Sequence, residues 1–130
     1  MEFRGFVKNN QLNALSQYNH LFLSDNLLEN GKEISNQILK VFNSDIQEKM
    51  KQAGIHDYVI DFAYTPTKIW VIEINPFLET TDGALFSWQK ERDLLENGPF
   101  EFRIREKKSF GAKSQLAISW REVFDQVIEL

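Results

Sequence analysis

The chain has 130 residues, enough to bury one hydrophobic core and too few for two domains of ordinary size. Its residues are 42% apolar and 26% charged, which excludes a disordered chain, and it has no cysteine, which excludes disulfides and cysteine-ligated zinc. The formal net charge of −4 argues against a protein that coats nucleic acid or an anionic membrane. No apolar run is long enough for a membrane span or a signal peptide, so we expect one cytoplasmic domain over residues 1–130.

The first predicted elements are a β-hairpin and a long helix. Two strands, at residues 2–8 and 11–16, flank the adjacent asparagines at positions 9 and 10. Asparagine tolerates the positive φ that a two-residue hairpin turn requires. Apolar residues at helical spacing then predict a helix over residues 31–53, which Gly54 ends.

A second hairpin and two further elements follow. Strands are predicted at residues 57–64 and 69–75, joined by a three-residue loop at residues 66–68. Clean alternation predicts a strand at residues 100–105, and helical spacing predicts a short amphipathic helix at residues 120–128. This order predicts an α+β fold with a largely antiparallel sheet, one long helix and a C-terminal helix.

Three polar side chains interrupt the apolar strands of the second hairpin. Glu73 and Asn75 are two residues apart and share one face of their strand, and Asp61 lies in the middle of the partner strand. An odd number of loop residues would place Asp61 opposite Glu73 on one face, and the three-residue loop meets that condition. Such a set of oxygens suits Mg²⁺. Spacing alone leaves two interpretations open, a magnesium site or a solvent-exposed sheet face.

Common catalytic and phosphate-binding motifs are absent from the sequence. The six glycines form neither the GxGxxG pattern nor the Walker pattern, and the two histidines, His20 and His56, lie far apart. The basic cluster at residues 103–108 is interrupted by Glu106, and we interpret it as a solvated strand end. A nucleotide would therefore have to bind by another geometry.

Two segments of the chain carry a resemblance to a known family. The first is EFRGFVKN at residues 2–9, and the second is IWVIEINPF at residues 69–77, continued by TD at 81–82 and LFSW at 85–88. Together they resemble signatures in the second half of the cell division cycle protein 123 family. The family carries Asp-Phe-Asn-Pro-Phe in the second signature, so Glu73 stands in this chain where the family has aspartate.

The resemblance implies the second half of an ATP-grasp-like fold, in which ATP and Mg²⁺ lie between two α+β halves. Asp61, Glu73 and Asn75 match the metal-binding positions, and Arg4 matches an arginine expected to meet phosphate oxygens. The resemblance thus favours the magnesium site over the exposed face. The family's amino-terminal half, with much of its adenine pocket, has no counterpart in this chain, so we expect weak ATP binding, about millimolar or roughly 4 kcal/mol.

The resemblance also implies a protein partner, the gamma subunit of eukaryotic translation initiation factor 2. The family is regarded as an assembly chaperone, so ATP binding does not imply catalysis. The alternative is a protein-binding module that keeps the fold without binding ATP. Without the other half, the sheet face that bears Arg4 and Glu73 should be open and expose Phe6, Val71 and Phe77. Either self-association or a separate partner chain would cover it, and we favour a homodimer because it needs no second gene product.

Overall fold

The computed structural model describes residues 1–18 and 25–105, and the side chains of all of these except residues 25–28. Strands alternate with helices along the chain, and a π-helical turn interrupts the long helical stretch. In chain order the elements are β1 (Glu2–Lys8), β2 (Gln11–Gln17), α1 (Asp25–Val41), the π-helical turn (Phe42–Ile46), α2 (Gln47–Gln52), β3 (Tyr58–Thr65), β4 (Lys68–Asn75), α3 (Trp88–Asn97) and β5 (Glu101–Arg103).

The five strands form one sheet in the order β4-β3-β1-β2-β5. All neighbouring strands are antiparallel except β5, which is parallel to β2. The predicted α+β fold with a largely antiparallel sheet is therefore confirmed. The predicted helix at residues 120–128 lies outside the described residues, and none of the helices within them could cross a membrane.

The first hairpin forms as predicted, and the long helix differs at its start. Asn9 and Asn10 have φ of 52° and 66°, the positive values of a two-residue hairpin turn. The helix begins at Asp25, before the expected position. Gly31 lies inside it, where an added Cβ would be at ordinary contact distance, 3.4 Å, from the ring of Phe102. Gly54, with φ of +78°, follows the last helical turn as predicted.

Both faces of the sheet carry a hydrophobic cluster. Helix α1 and the π-helical turn cover the first face, where Ile34, Ile38 and Phe42 are buried against the strands. We call this the helix face. The opposite face is covered by the segment from residue 76 to α3, and its cluster contains Phe6, Ala14, Val59, Phe77, Phe86, Trp88 and Leu95.

The predicted open patch at Phe6, Val71 and Phe77 is wrong. Phe6 is fully buried and Phe77 is 9% exposed, because Phe77, Phe86 and Trp88 pack edge-on over this part of the sheet. Val71 is exposed, but it pairs with Phe62 and so belongs to the helix face. The chain closes part of this face with its own residues.

Candidate functional site

A β-bulge in β4 brings two carboxylates to one face of the sheet. The predicted three-residue loop is wrong, because Thr65 pairs with Lys68 across a two-residue turn. That turn alone would put Asp61 and Glu73 on opposite faces. One extra residue in β4, Ile72, restores the alignment, and Asp61 lies directly opposite Glu73. The expected shared face is therefore confirmed by a different route.

A buried ion pair holds Asp61 from the neighbouring strand. Arg4 lies directly opposite Asp61 in the pairing of β1 with β3, and the two residues are 4% and 3% exposed. The Arg4 Nε donates to Asp61 Oδ1 at 2.8 Å, and Nη2 donates to Oδ2 at 2.9 Å. This two-point geometry orients the carboxylate as well as neutralising it. Hydrogen bonding to Asp61 raises the pKa of Arg4, so the guanidinium stays charged.

The rest of the Arg4 guanidinium contacts a loop and a tyrosine. Its Nη1 donates to the backbone carbonyl of Asp82 at 2.9 Å, and its central carbon lies 4.0 Å from the centroid of the Tyr18 ring. The side chain of Asp82 accepts a hydrogen bond from the backbone N–H of Ala84, which shapes this loop. Arg4 thus ties the sheet to the loop. The expectation that it meets phosphate oxygens stays a prediction.

Glu73 and Asn75 complete the polar set on this face. Glu73 is exposed and Asn75 is half-buried, and within residues 1–18 and 25–105 neither side chain forms a hydrogen bond. The described residues contain no group of three or more His, Cys, Asp and Glu that could hold a metal, so a cation here would depend on two carboxylates and one amide. Each Asp61 oxygen accepts one bond from Arg4 and keeps a further acceptor position. The donor set fits a hard cation, and the magnesium site stays a prediction.

Two hydrogen bonds hold the segment after β4 in place beside Asp61, Glu73 and Asn75. The Ser16 hydroxyl accepts the backbone N–H of Leu85, and Arg103 Nη1 donates to the Leu85 carbonyl, each at 3.1 Å. Arg103 also forms ion pairs with Glu91 and Glu101, and its bond to Glu91 lowers the pKa of that carboxyl. Arg103 is therefore a structural residue, and the expected solvated strand end is wrong at this position.

Sequence reasoning missed the pairing of Arg4 with Asp61. Both residues interrupt apolar strands, and charges buried in a protein are paired. The sequence therefore indicated that each charge needs a partner. Only the pairing of β1 with β3 identifies that partner. The hydrogen bond from Arg4 to the Asp82 carbonyl could not be predicted from the residue type at position 82, because every residue has a backbone oxygen.

The sequence of this chain matches one family of known proteins. The D123 family model matches residues 1–127. A translation initiation factor eIF2 assembly protein of Xenopus laevis is 36% identical over 99 residues, covering 75% of this chain and 28% of that protein. One of Schizosaccharomyces pombe is 37% identical over 109 residues, covering 83% of this chain and 32% of that protein.

Solved structures agree with the sequence relatives. C-terminally truncated Cdc123 from Schizosaccharomyces pombe has a TM-score of 0.67 and 34% sequence identity, with 82% of this chain and 40% of that chain covered. The match covers 25% of the length of the Danio rerio relative and 35% of that of the Candida albicans relative. The likeness therefore concerns one part of those proteins.

Proposed function

The chain belongs to the D123 family, and from that premise we propose that it binds ATP with Mg²⁺ on the sheet face formed by Asp61, Glu73 and Asn75. We further propose that it acts in the assembly of a protein complex that contains translation initiation factor eIF2, because its relatives are named eIF2 assembly proteins. It spans only about a third of those relatives, so the activity of the whole protein is part of this proposal.

The observation that carries the nucleotide site is the buried Arg4–Asp61 pair beside Glu73. Burying an ion pair seldom stabilises a fold more than apolar residues of the same size would. Carboxylates that bind metals are commonly oriented by hydrogen bonds from surrounding groups, as Arg4 orients Asp61 beside the exposed Glu73. Asp61, Glu73 and Asn75 would hold Mg²⁺, which when bound neutralises charge on nucleotide phosphates.

Arg4 has two roles in this proposal. Its Nε and Nη2 position Asp61, and its Nη1 is the donor that a phosphate oxygen could take over from the Asp82 carbonyl. The phosphate contact implied by family resemblance is therefore compatible with the ion pair, provided that the loop carbonyl is released.

The partner that we propose is the gamma subunit of eukaryotic translation initiation factor 2. The names of the relatives support a partner related to eIF2, and the choice of subunit rests on the family resemblance. Co-purification of this chain with the isolated subunit would support that choice. Separate elution of the two proteins at micromolar concentration would contradict it.

Thermal unfolding with Mg²⁺ and ATP tests the nucleotide site. Ligand at ten times its Kd stabilises the folded chain by about 1.4 kcal/mol, which corresponds to roughly 4–6 °C in Tm at this size. We expect that rise when Mg²⁺ and ATP are added together, and we expect Glu73→Gln to remove most of it. Glu73 is exposed, so the variant should fold. Glu48→Gln, on the exposed surface of α2, is the matched control and should keep the full rise.

A second candidate function is a protein-binding module without nucleotide. Strand β4 lies at the edge of the sheet and exposes four large apolar side chains, which is typical of a surface that contacts another chain. These are Trp70, Val71, Ile72 and Ile74, each 38–46% exposed. The same unfolding experiment separates the two functions, because such a module would show equal Tm values with and without Mg²⁺ and ATP.

A further inference from the structure

An exposed tryptophan shares the sheet face of the proposed metal ligands. Trp70 pairs with Ala63, and Glu73 pairs with Asp61, which lies two residues before Ala63 in β3. Residues two apart on a strand point to the same face and lie about 7 Å apart. The indole therefore lies on the same face as the carboxylates, about two residues away along the strands. The segment after residue 76 leaves this part of β4 exposed.

The surroundings of Trp70 leave its ring accessible. The residue is 42% exposed, whereas Trp88 is 6% exposed and donates its indole N–H to the Thr81 carbonyl. The Lys68 ammonium lies 5.2 Å from the Trp70 ring centroid. Directly across the strand from Trp70, Ala63 presents only a methyl group.

We propose that Trp70 is the stacking platform for the base of the nucleotide whose phosphates lie at Asp61, Glu73 and Asn75. This inference rests on the proposed function and names how its ligand is recognised. A nucleotide carries a flat ring at one end and anionic phosphates at the other, with the ribose between them. The sheet face presents the matching order along β4, an open aromatic ring and then oxygen ligands for a cation.

Stacking explains why an exposed tryptophan would suffice for this role. Base-to-aromatic stacking needs only the two flat ring surfaces and no hydrogen bonds to base edges. The contribution is therefore specific to ligands that carry a base. Inorganic tripolyphosphate with Mg²⁺ would bind the carboxylate end alone and be indifferent to the residue at position 70.

Calorimetric titration of the whole chain with Mg²⁺–ATP and with Mg²⁺–tripolyphosphate tests this assignment. Stacking on an aromatic ring is worth about 5- to 150-fold in affinity. We expect Trp70→Ala to weaken ATP binding by that factor and to leave tripolyphosphate binding unchanged. Trp70→Phe should retain most of the ATP affinity. Ile74→Ala is the matched control, because Ile74 is equally exposed but pairs with Ile60 on the helix face.

The possible outcomes separate this inference from the proposed function. Equal ATP affinities of the wild-type chain and Trp70→Ala would overturn the stacking role alone, and so would an equal loss for ATP and tripolyphosphate. Failure of the wild-type chain to bind either ligand would overturn the proposed function and the stacking role with it. In that case the exposed indole would be part of a surface that contacts another protein.

Discussion

Arg4 and Asp61 form a buried ion pair at the candidate site. Removing one member of a buried pair leaves an uncompensated charge and typically costs about 3–5 kcal/mol. A variant of Arg4 or Asp61 would therefore lose stability as well as any ligand. Glu73 is exposed on the same face, so its substitution changes the site with little effect on the fold.

Tyr58 is a second buried polar side chain, and it predicts a pH dependence of stability. Its side chain is 1% exposed, its hydroxyl has no hydrogen-bond partner among the described residues, and burial raises its pKa to about 12. The unfolded chain would lose this proton near pH 10. The free energy of unfolding therefore keeps its full value with respect to Tyr58 below pH 10. It falls by about 2 kcal/mol as the pH rises towards 12.

We expect Tyr58→Phe to remove that loss. At pH 7 the variant should be as stable as the wild-type chain or more stable by about 1 kcal/mol, because an unpaired hydroxyl is no longer buried. Urea unfolding at pH 7 and at pH 11 measures both effects. Parallel loss of stability in the two proteins between these pH values would contradict the assignment to Tyr58.

At the scale of the elements, the bulge at Ile72 decides which residues face the site. It compensates for a two-residue turn that would otherwise put Glu73 on the helix face. A bulge also twists an edge strand and so disfavours pairing with another chain. One residue thus sets the face of Glu73 and protects the edge of the sheet.

Deletion of Ile72 tests the role of the bulge. Glu73 would then follow Val71 directly and keep its position opposite Asp61 in a regular ladder, so we expect the rise in Tm with Mg²⁺ and ATP to persist. Deletion of Ile74 is the control, because it would move Asn75 to the helix face and weaken the rise. A folded Ile72 deletion that does not respond to the ligands would show that the bulged backbone is itself part of the site.

Elements with local signals could be predicted from the sequence, and those set by tertiary contacts could not. The asparagine pair defined the first turn, and alternation defined the strands of the second hairpin. The length of the second turn was mispredicted because the bulge that compensates for it leaves no distinct residue pattern. Gly31 was taken as the helix start because the apolar pattern used for the prediction begins after it, whereas the helix begins at Asp25.

The shared face of the candidate site residues could be predicted from the sequence, but their pairing with Arg4 could not. Asp61, Glu73 and Asn75 were identified from polar residues in apolar strands, and the sheet register brings them to one face. Their pairing with Arg4 joins residues 57 positions apart, so it required the order of the strands. Trp70 gave no signal, since an aromatic residue in a strand is ordinary for a β segment.

At the scale of the whole molecule, the polar set lies where the covered part of the sheet face meets the open part. Phe6 and its neighbours are buried under Phe77, Phe86 and Trp88, while the β4 row stays exposed. A ligand could therefore reach the carboxylates from the β4 side. The homodimer stays a prediction.

The location of bound metal is the most direct test of the central claim. Mn²⁺ broadens nuclear magnetic resonance signals close to it and takes oxygen ligands as Mg²⁺ does. In a titration with Mn²⁺ and ATP followed by amide spectra of the whole chain, we expect the first broadening at residues 60–62 and 72–75, with α2 unaffected. Broadening that begins at acidic residues of the helices, or that is uniform along the chain, would contradict a nucleotide–metal site at Asp61, Glu73 and Asn75.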